Sequence, residues 1–437
     1  MEWYWILLFI LGGLILLLAT GMPIAFCFIV ICLIAAPLTW SGKAGIQQVI
    51  VSLSSSVVSF TMLPLPLFVL MGAVIFHSKL APLMIDALDK WIGHIRGRLS
   101  LLAVGSGVLL STLTGSSVGS VAMLGGTLVP EMERRGYRKP MTLGPILGSG
   151  GLAAMIPPSN LAVLVGAIGE ISIGGILVAI IFAGLLMGTL YALYIVIRCK
   201  MQPSLAPAYE VGHVPASEKI ISTVKYILPL GFVIFMVVGV IFFGIATATE
   251  AAATGALSTF ILTAFYGRLS WGMLKNALVE TLKTSTMLLM ILAASQVFSQ
   301  ILSFSGAALG MAEFASSLKI APILILMGMM VIVLFLGMFM DAISIMMVTL
   351  PIFMPVVLSL GYDPVWFAVL FLINIEMAMT TPPVGFCLYT MKSVGPPGTT
   401  LGDVCKAALP FLGCDLISLV LIMAFPKIVL WLPSVMH

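Results

Sequence analysis

The chain has 437 residues, 61% of them hydrophobic and 8% charged, with a mean hydropathy of +1.21. A soluble protein carries roughly 25% charged residues, so these values place the chain in the lipid bilayer. A net charge of +4 is too small for a nucleic-acid partner, and the apolar runs leave almost no room for a soluble domain.

From the N-terminus, apolar runs at 4–19 and 22–39 are separated by Ala19-Thr20-Gly21-Met22-Pro23 with no basic leader, and read as two retained spans. A run at 64–79 follows, then pairs of shorter runs at 99–113 with 118–129 and at 141–155 with 159–169, and a long one at 174–197. The remainder continues with 226–243, 250–266, 284–303, the pair 321–339 with 342–356, the pair 366–379 with 383–391, and 408–431. A helix rises about 1.5 Å per residue and the hydrocarbon core is about 30 Å thick, so the shortest runs are half-helices. The six cysteines, Cys27, Cys32, Cys199, Cys387, Cys405 and Cys414, form no CxxC pair and read as small core residues, not disulfides or a zinc site.

Basic residues mark the cytoplasmic side. Lys90, Arg96 and Arg98 precede the run at 99–113, while Arg134, Arg135, Arg138 and Lys139 follow the one at 118–129, so this stretch enters the membrane and returns, turning at Thr114-Gly115-Ser116-Ser117. The flanks of the pair at 321–356 hold Glu313, Lys319 and Asp363, without basic excess, and that hairpin is expected to enter from the opposite face. The resulting all-α architecture is an inverted repeat of two five-crossing halves, residues 1–197 and 226–437, joined by a cytoplasmic linker at 198–225, with both termini periplasmic. Each half holds a re-entrant hairpin (about 99–129 and 321–356) and a broken helix (about 141–169 and 366–391). Only Lys43, Lys319 and Lys427 among the basic residues then fall outside the cytoplasmic face.

One offset supports the repeat. Adding 225 carries Pro130 onto Pro355, Pro157-Pro158 onto Pro382-Pro383, and Ser116 onto Asp341. Inverted repeats with broken helices are the build of secondary transporters. Hydrocarbon offers unwound backbone no partner, so such chain persists only where it lines a cavity or coordinates something. The proline pairs free carbonyls about one turn earlier. Facing them, Ser116 and Ser117 in one half, and Asp341 and Ser344 in the other, can complete an oxygen shell for sodium, while half-helix N-termini suit an anionic substrate. The pocket then lies between the turns and the breaks, with Ser159, Asn160, Asp341 and Ser344 as substrate-binding candidates. Each feature also has a plainer reading: proline pairs make simple kinks, small serines permit close helix packing, and Glu250 and Glu376, in or beside breaks, cap half-helix N-termini. Asp341 stands out because a carboxylate in an apolar run is costly. His77, His94, His213 and His437 fall in or near loops without metal-site spacing, and no other metal site is indicated.

Four segments, Leu113-Thr114-Gly115-Ser116-Ser117, Ile156-Pro157-Pro158-Ser159, the stretch from Gly244 to Ala252, and Thr381-Pro382-Pro383-Val384-Gly385, together resemble the large membrane subunit of tripartite ATP-independent periplasmic (TRAP) transporters over essentially the whole chain. The resemblance implies an inner-membrane, sodium-driven importer of organic acids, working by an elevator movement. It also implies a small four-helix membrane partner (Q) and a soluble periplasmic binding protein (P). By motif, one sodium site would use Ser116, Ser117 and the backbone around Gly151, Ile156 and Pro157; the second would use Gly337, Thr381, Val384 and the backbone near Ala378. The chain departs from the family pattern at Ala248, where proline is usual, and at Ala378, where glycine is usual. Sialic acid, C4-dicarboxylates and other sugar acids are all family substrates.

Other classes fit poorly. No GxxxxGK[ST] sequence occurs, so the chain has no nucleotide site of its own. An intramembrane protease would need a Ser/His pair or facing aspartates, and Asp341 has only Asp415 as a mate. Half-helices at both ends suit alternating access better than a channel. A binding-protein-independent anion symporter of another inverted-repeat family is the competing reading, and the transporter itself is not an enzyme.

Overall fold

The computed structural model describes residues 2–39, 42–59, 62–93, 95–114, 116–207, 214–383 and 385–436. Gly115, Val384, His94, His213, His437 and part of the expected linker lie outside the described residues. Described elements are all helical. The first half holds α1 (Trp3–Ala19), α2 (Ile24–Thr39), α3 (Lys43–Val58), α4 (Pro64–Ser78), α5 (Ala81–Asp89), α6 (Arg98–Thr114), α7 (Ser117–Arg134), α8 (Lys139–Gly151), α9 (Asn160–Gly169) and α10 (Ile173–Met201). The second holds α11 (Ala216–Phe242), α12 (Ala248–Phe265), α13 (Trp271–Phe304), α14 (Ala307–Ser317), α15 (Pro322–Gly337), α16 (Ala342–Ser359), α17 (Pro364–Thr380), α18 (Phe386–Val394), α19 (Leu401–Ala424) and α20 (Lys427–Ser434).

Helix starts are set by short polar side chains that receive the free N–H groups of the first turn, a need that grows where water is excluded. Ser116, Ser159, Ser172, Ser270, Asp341 and Asp363 act this way, and Thr247 and Thr400 form capping boxes with Glu250 and Asp403. Glu250 is therefore a cap. After α7 and α16 the chain turns through Gly136 and Gly361, with φ of 74° and 75°, a left-handed conformation that glycine adopts without Cβ strain.

Those glycines lie 225 residues apart, as do the starts of α7 and α16, their ends at Arg134 and Ser359, and the starts of α8 and α17 at Lys139 and Pro364. The peptide bonds Pro157-Pro158 and Pro382-Pro383 are both cis. The spacing seen in the prolines is thus also a spacing of elements.

The centre of the molecule is built from α8 and α17. Every residue from Met141 to Gly151 and from Trp366 to Thr380 is buried. Helix α8 packs against α6, α7 and α19, and α17 against α10, α15, α16 and α19. A second group joins α4 to α12 and α13 and α13 to α2, where Phe28 and Phe298 meet edge to face at 4.9 Å. The periphery is apolar too, with Leu16, Val58, Phe265 and Phe304 exposed, as suits an outer solvent of lipid.

Among the described residues, five helices are long and apolar enough to span a membrane alone: α10, α11, α13, α16 and α19. Two expected runs prove to be parts of longer features. The run at 64–79 continues after a 72° bend into α5, and the run at 284–303 is the last part of the 34-residue α13. Helix α11 begins at Ala216, inside the expected linker, and contains π-helical turns at Thr223–Ile227 and Phe235–Gly239. Apolar runs register hydrophobic stretches only, whereas backbone hydrogen bonding carries a helix through charged flanks.

Candidate functional site

A cavity of about 420 Å³ opens where both hairpin tips meet both broken helices. Ser116, Ser117, Asn160 and Asp341 line it together with Met379, while Phe76 of α4 and Glu280 and Thr284 of α13 form the facing wall. Residues remote in sequence are thus gathered at one place. Ser344 is buried beneath Asp341, and Ser159 beneath Asn160.

Three helices begin at this cavity: α7 at Ser117, α9 at Asn160 and α16 at Ala342. Helix N-termini carry partial positive charge and suit an anion. Ser116 accepts from the Gly119 N–H at 3.3 Å and Ser159 from that of Ala162 at 3.2 Å. Asp341 accepts from the Ile343 and Ser344 N–H groups at 3.0 and 3.3 Å, and the Ser344 hydroxyl donates to the same carboxylate. Its charge is therefore engaged on its own helix. The described lining includes the carboxylates Asp341 and Glu280 and no Lys, Arg or His. An anion entering here meets N–H dipoles but no basic side chain.

The breaks are held by close packing. Helix α8 ends at Gly151, a 3₁₀ turn covers Leu152–Ala154, and α9 starts after Pro157-Pro158. Ile156 is half-buried and Pro157 buried at the back of this break. Gly184 of α10 lets the break lie against it, since a methyl group there would come within 2.5 Å of the Met155 carbonyl oxygen. Gly337 touches Ala378 so closely that a methyl group would sit 2.1 Å from its Cβ. The Thr381 hydroxyl donates to the Met377 carbonyl at 2.6 Å, closing the last turn of α17. The sodium candidates therefore fall into two clusters: Ser117 with Gly151 at the first break, and Gly337 with Ala378 at the second, near Thr381.

Glu376 departs from the cap reading. It lies inside α17, 1% exposed, and its Oε1 accepts from the Ser117 hydroxyl at 2.7 Å across the two halves. Its Oε2 has no partner and stands 3.3 Å from where a Cβ on Gly151 would be. An unpartnered buried carboxylate oxygen beside a helix end fits a bound cation. Two further features escaped sequence reasoning. Buried Asp415 accepts from the Tyr191 hydroxyl, and His77, in the last turn of α4, pairs with Glu280 at 2.6 Å by the cavity. Only an isolated polar residue in an apolar run signals them.

A family model described as the tripartite ATP-independent periplasmic transporter, DctM component, matches residues 11–428. The chain is 31% identical to the C4-dicarboxylate TRAP transporter large permease protein DctM of Pseudomonas aeruginosa, covering 89% of this chain and 90% of that one. It is 28% identical to the 2,3-diketo-L-gulonate TRAP transporter large permease protein YiaN of Escherichia coli, covering 97% of both. Its fold resembles the YdaH transporter of Alcanivorax borkumensis, with a TM-score of 0.68 over 92% of this chain and 98% of that one at 16% identity.

Proposed function

We propose that this chain, which belongs to the DctM-component family of tripartite ATP-independent periplasmic transporters and is the large membrane subunit of such a system, couples the import of an organic acid to sodium. One observation carries the reading. The described lining of the cavity between the hairpin tips gathers three helix N-termini and two carboxylates, of which only Glu280 has a basic partner, His77 behind the wall, so an anion there calls for accompanying cations.

Ser117 and the Gly151 backbone hold one sodium ion, with Ser116, Ile156 and Pro157 framing it. Gly337, Thr381 and the Ala378 backbone hold the second, in the region of Val384. Bound sodium supplies positive charge beside the substrate. The N–H groups opening α7, α9 and α16 orient the carboxylate, with Asn160 at the mouth of α9, while Asp341, already bonded to its own helix, keeps a second anion away. Helices α6 to α9 and α15 to α18 move together past α4 and α13, as an elevator. Dicarboxylates and sugar acids are the substrate class that relatives suggest. The small membrane subunit and a periplasmic binding protein complete the system in the inner membrane, the latter delivering substrate.

The test is uptake into proteoliposomes holding both membrane subunits, with cognate binding protein, labelled acids and an imposed sodium gradient. Uptake that needs both the gradient and the binding protein is expected. Uptake indifferent to sodium overturns the coupling, and uptake without the binding protein favours a two-component anion symporter.

A further inference from the structure

Beyond the candidate cavity lies a far smaller space of about 10 Å³, where Gly148 and Gly151 of α8, Glu376 and Thr380 of α17, and Asp415 of α19 meet against an apolar wall of leucine, alanine and phenylalanine side chains. It is roughly the size of one water molecule or one bare small cation. Its polar side chains, Glu376, Thr380 and Asp415, have no proton free to offer toward it. The Ser117 hydroxyl gives its proton to Glu376 Oε1, the Thr380 hydroxyl donates to the carbonyls of Glu376 and Met377, and Asp415 already receives the Tyr191 proton. Two helix C-termini, those of α8 at Gly151 and α17 at Thr380, bring their negative ends to the same place. Cys387, near Glu376, is buried, and among the described residues no Lys, Arg or His lines the space.

A hydrogen-bond donor would satisfy Glu376 Oε2, and the described residues offer none. The open Glu376 oxygen beside Gly151, with Asp415 lining the same space, is complementary to a cation, and a buried carboxylate without one is costly. We propose that Glu376, carried by the second half of the chain, is a ligand of the sodium ion at the first break and provides that site's negative charge. The proposal rests on the sodium-coupled reading above. It extends the site across the two halves: Ser117 and Gly151 bring neutral oxygens, and α17 brings the charge to the same ion.

The decisive measurement is binding of radioactive sodium to the purified large and small membrane subunits in lipid nanodiscs. Glu376→Gln keeps the shape and a carbonyl acceptor for Ser117 but removes the charge. Its sodium dissociation constant is expected to rise at least tenfold. Gly151→Ala leaves the carboxylate intact and crowds Oε2 with a methyl group; a rise of at least threefold is expected, which decides the matter if Glu376→Gln fails to fold. Wild-type affinity in a folded Glu376→Gln, or in Gly151→Ala where Glu376→Gln does not fold, makes Glu376 a neutral acceptor for Ser117 and overturns the proposal while leaving sodium coupling intact. Absence of saturable sodium binding in the unaltered protein removes the sodium reading itself, and this proposal with it.

Discussion

The two breaks share one frame and differ in chemistry. In the first, the tip residue Ser116 and the break residues Ile156 and Pro157 are all uncharged. In the second, the position of Ser116 is taken by Asp341 and that of Ile156 by Thr381. On residue type alone the second half is the charged one. Hydrogen bonding reverses this, because Asp341 is engaged at the start of α16 whereas Glu376 of α17 leaves one oxygen open toward Gly151 of the first half. A duplicated fold can thus keep matching helices while charge crosses from one copy to the other.

The largest effect is expected at the contact that seats the second tip on its break. In Gly337→Ala the new methyl group meets the Ala378 Cβ at 2.1 Å, an overlap that backbone movement must relieve at about 1–3 kcal/mol or more. Thermal stability and uptake should both fall sharply, and Ala378→Gly added to it should restore them. Failure of that rescue separates Gly337 from Ala378 and weakens the second cluster.

Next comes the hydroxyl that one break has and the other lacks. Thr381→Val removes an oxygen, and a bond to a charged group is worth roughly 1.5–3 kcal/mol, so uptake at limiting sodium should drop about tenfold. Ile156→Val should be nearly silent. Equal activity in both variants, assayed on equal amounts of folded transporter, reduces Thr381 to a clasp on the Met377 carbonyl.

The capping contrast is smaller. Asp341→Ala leaves two N–H groups without their partner and removes a charged cap, and should lower stability by about 0.5–2 kcal/mol, more than Ser116→Ala, which takes an uncharged cap from the Gly119 N–H. The smallest effect belongs to Lys139, which reaches Asp403 at 2.8 Å from a half-exposed position; Lys139→Met should cost about 1 kcal/mol or less, measured by denaturation in detergent.

Why some of this was readable from sequence and some was not follows from particular residues. Breakers are local: Pro157-Pro158 and Pro382-Pro383 act through their own backbone, so the breaks and their offset were visible in the chain. Helix lengths in charged or serine-rich stretches, such as α3, α5 and the first turns of α13, were not, since hydropathy is silent where hydrogen bonding continues. The role of Asp341 and that of Glu376 depend on which N–H or hydroxyl lies opposite in space, and no spacing rule carries that information across 259 residues from Ser117 to Glu376.

Helix α13 ties the transporter to the thickness of its membrane. At about 1.5 Å per residue its 34 residues make an unbroken rod of about 51 Å, against about 30 Å of hydrocarbon. Its charges, Lys275, Glu280 and Lys283, all fall before Thr284, and the stretch from there to Phe304 has none and by itself matches the bilayer. Glu280 and Thr284, at the junction between the charged and the apolar parts, also line the cavity wall. A shorter lipid acyl chain leaves apolar helix in water, a mismatch relieved by tilting a rod whose side forms one wall of the cavity; a longer one pulls that junction toward hydrocarbon and is met by local thinning of the bilayer and by Lys275 and Lys283 reaching for the interface. Lipid length thereby becomes a control on the shape of the site, acting without any ligand.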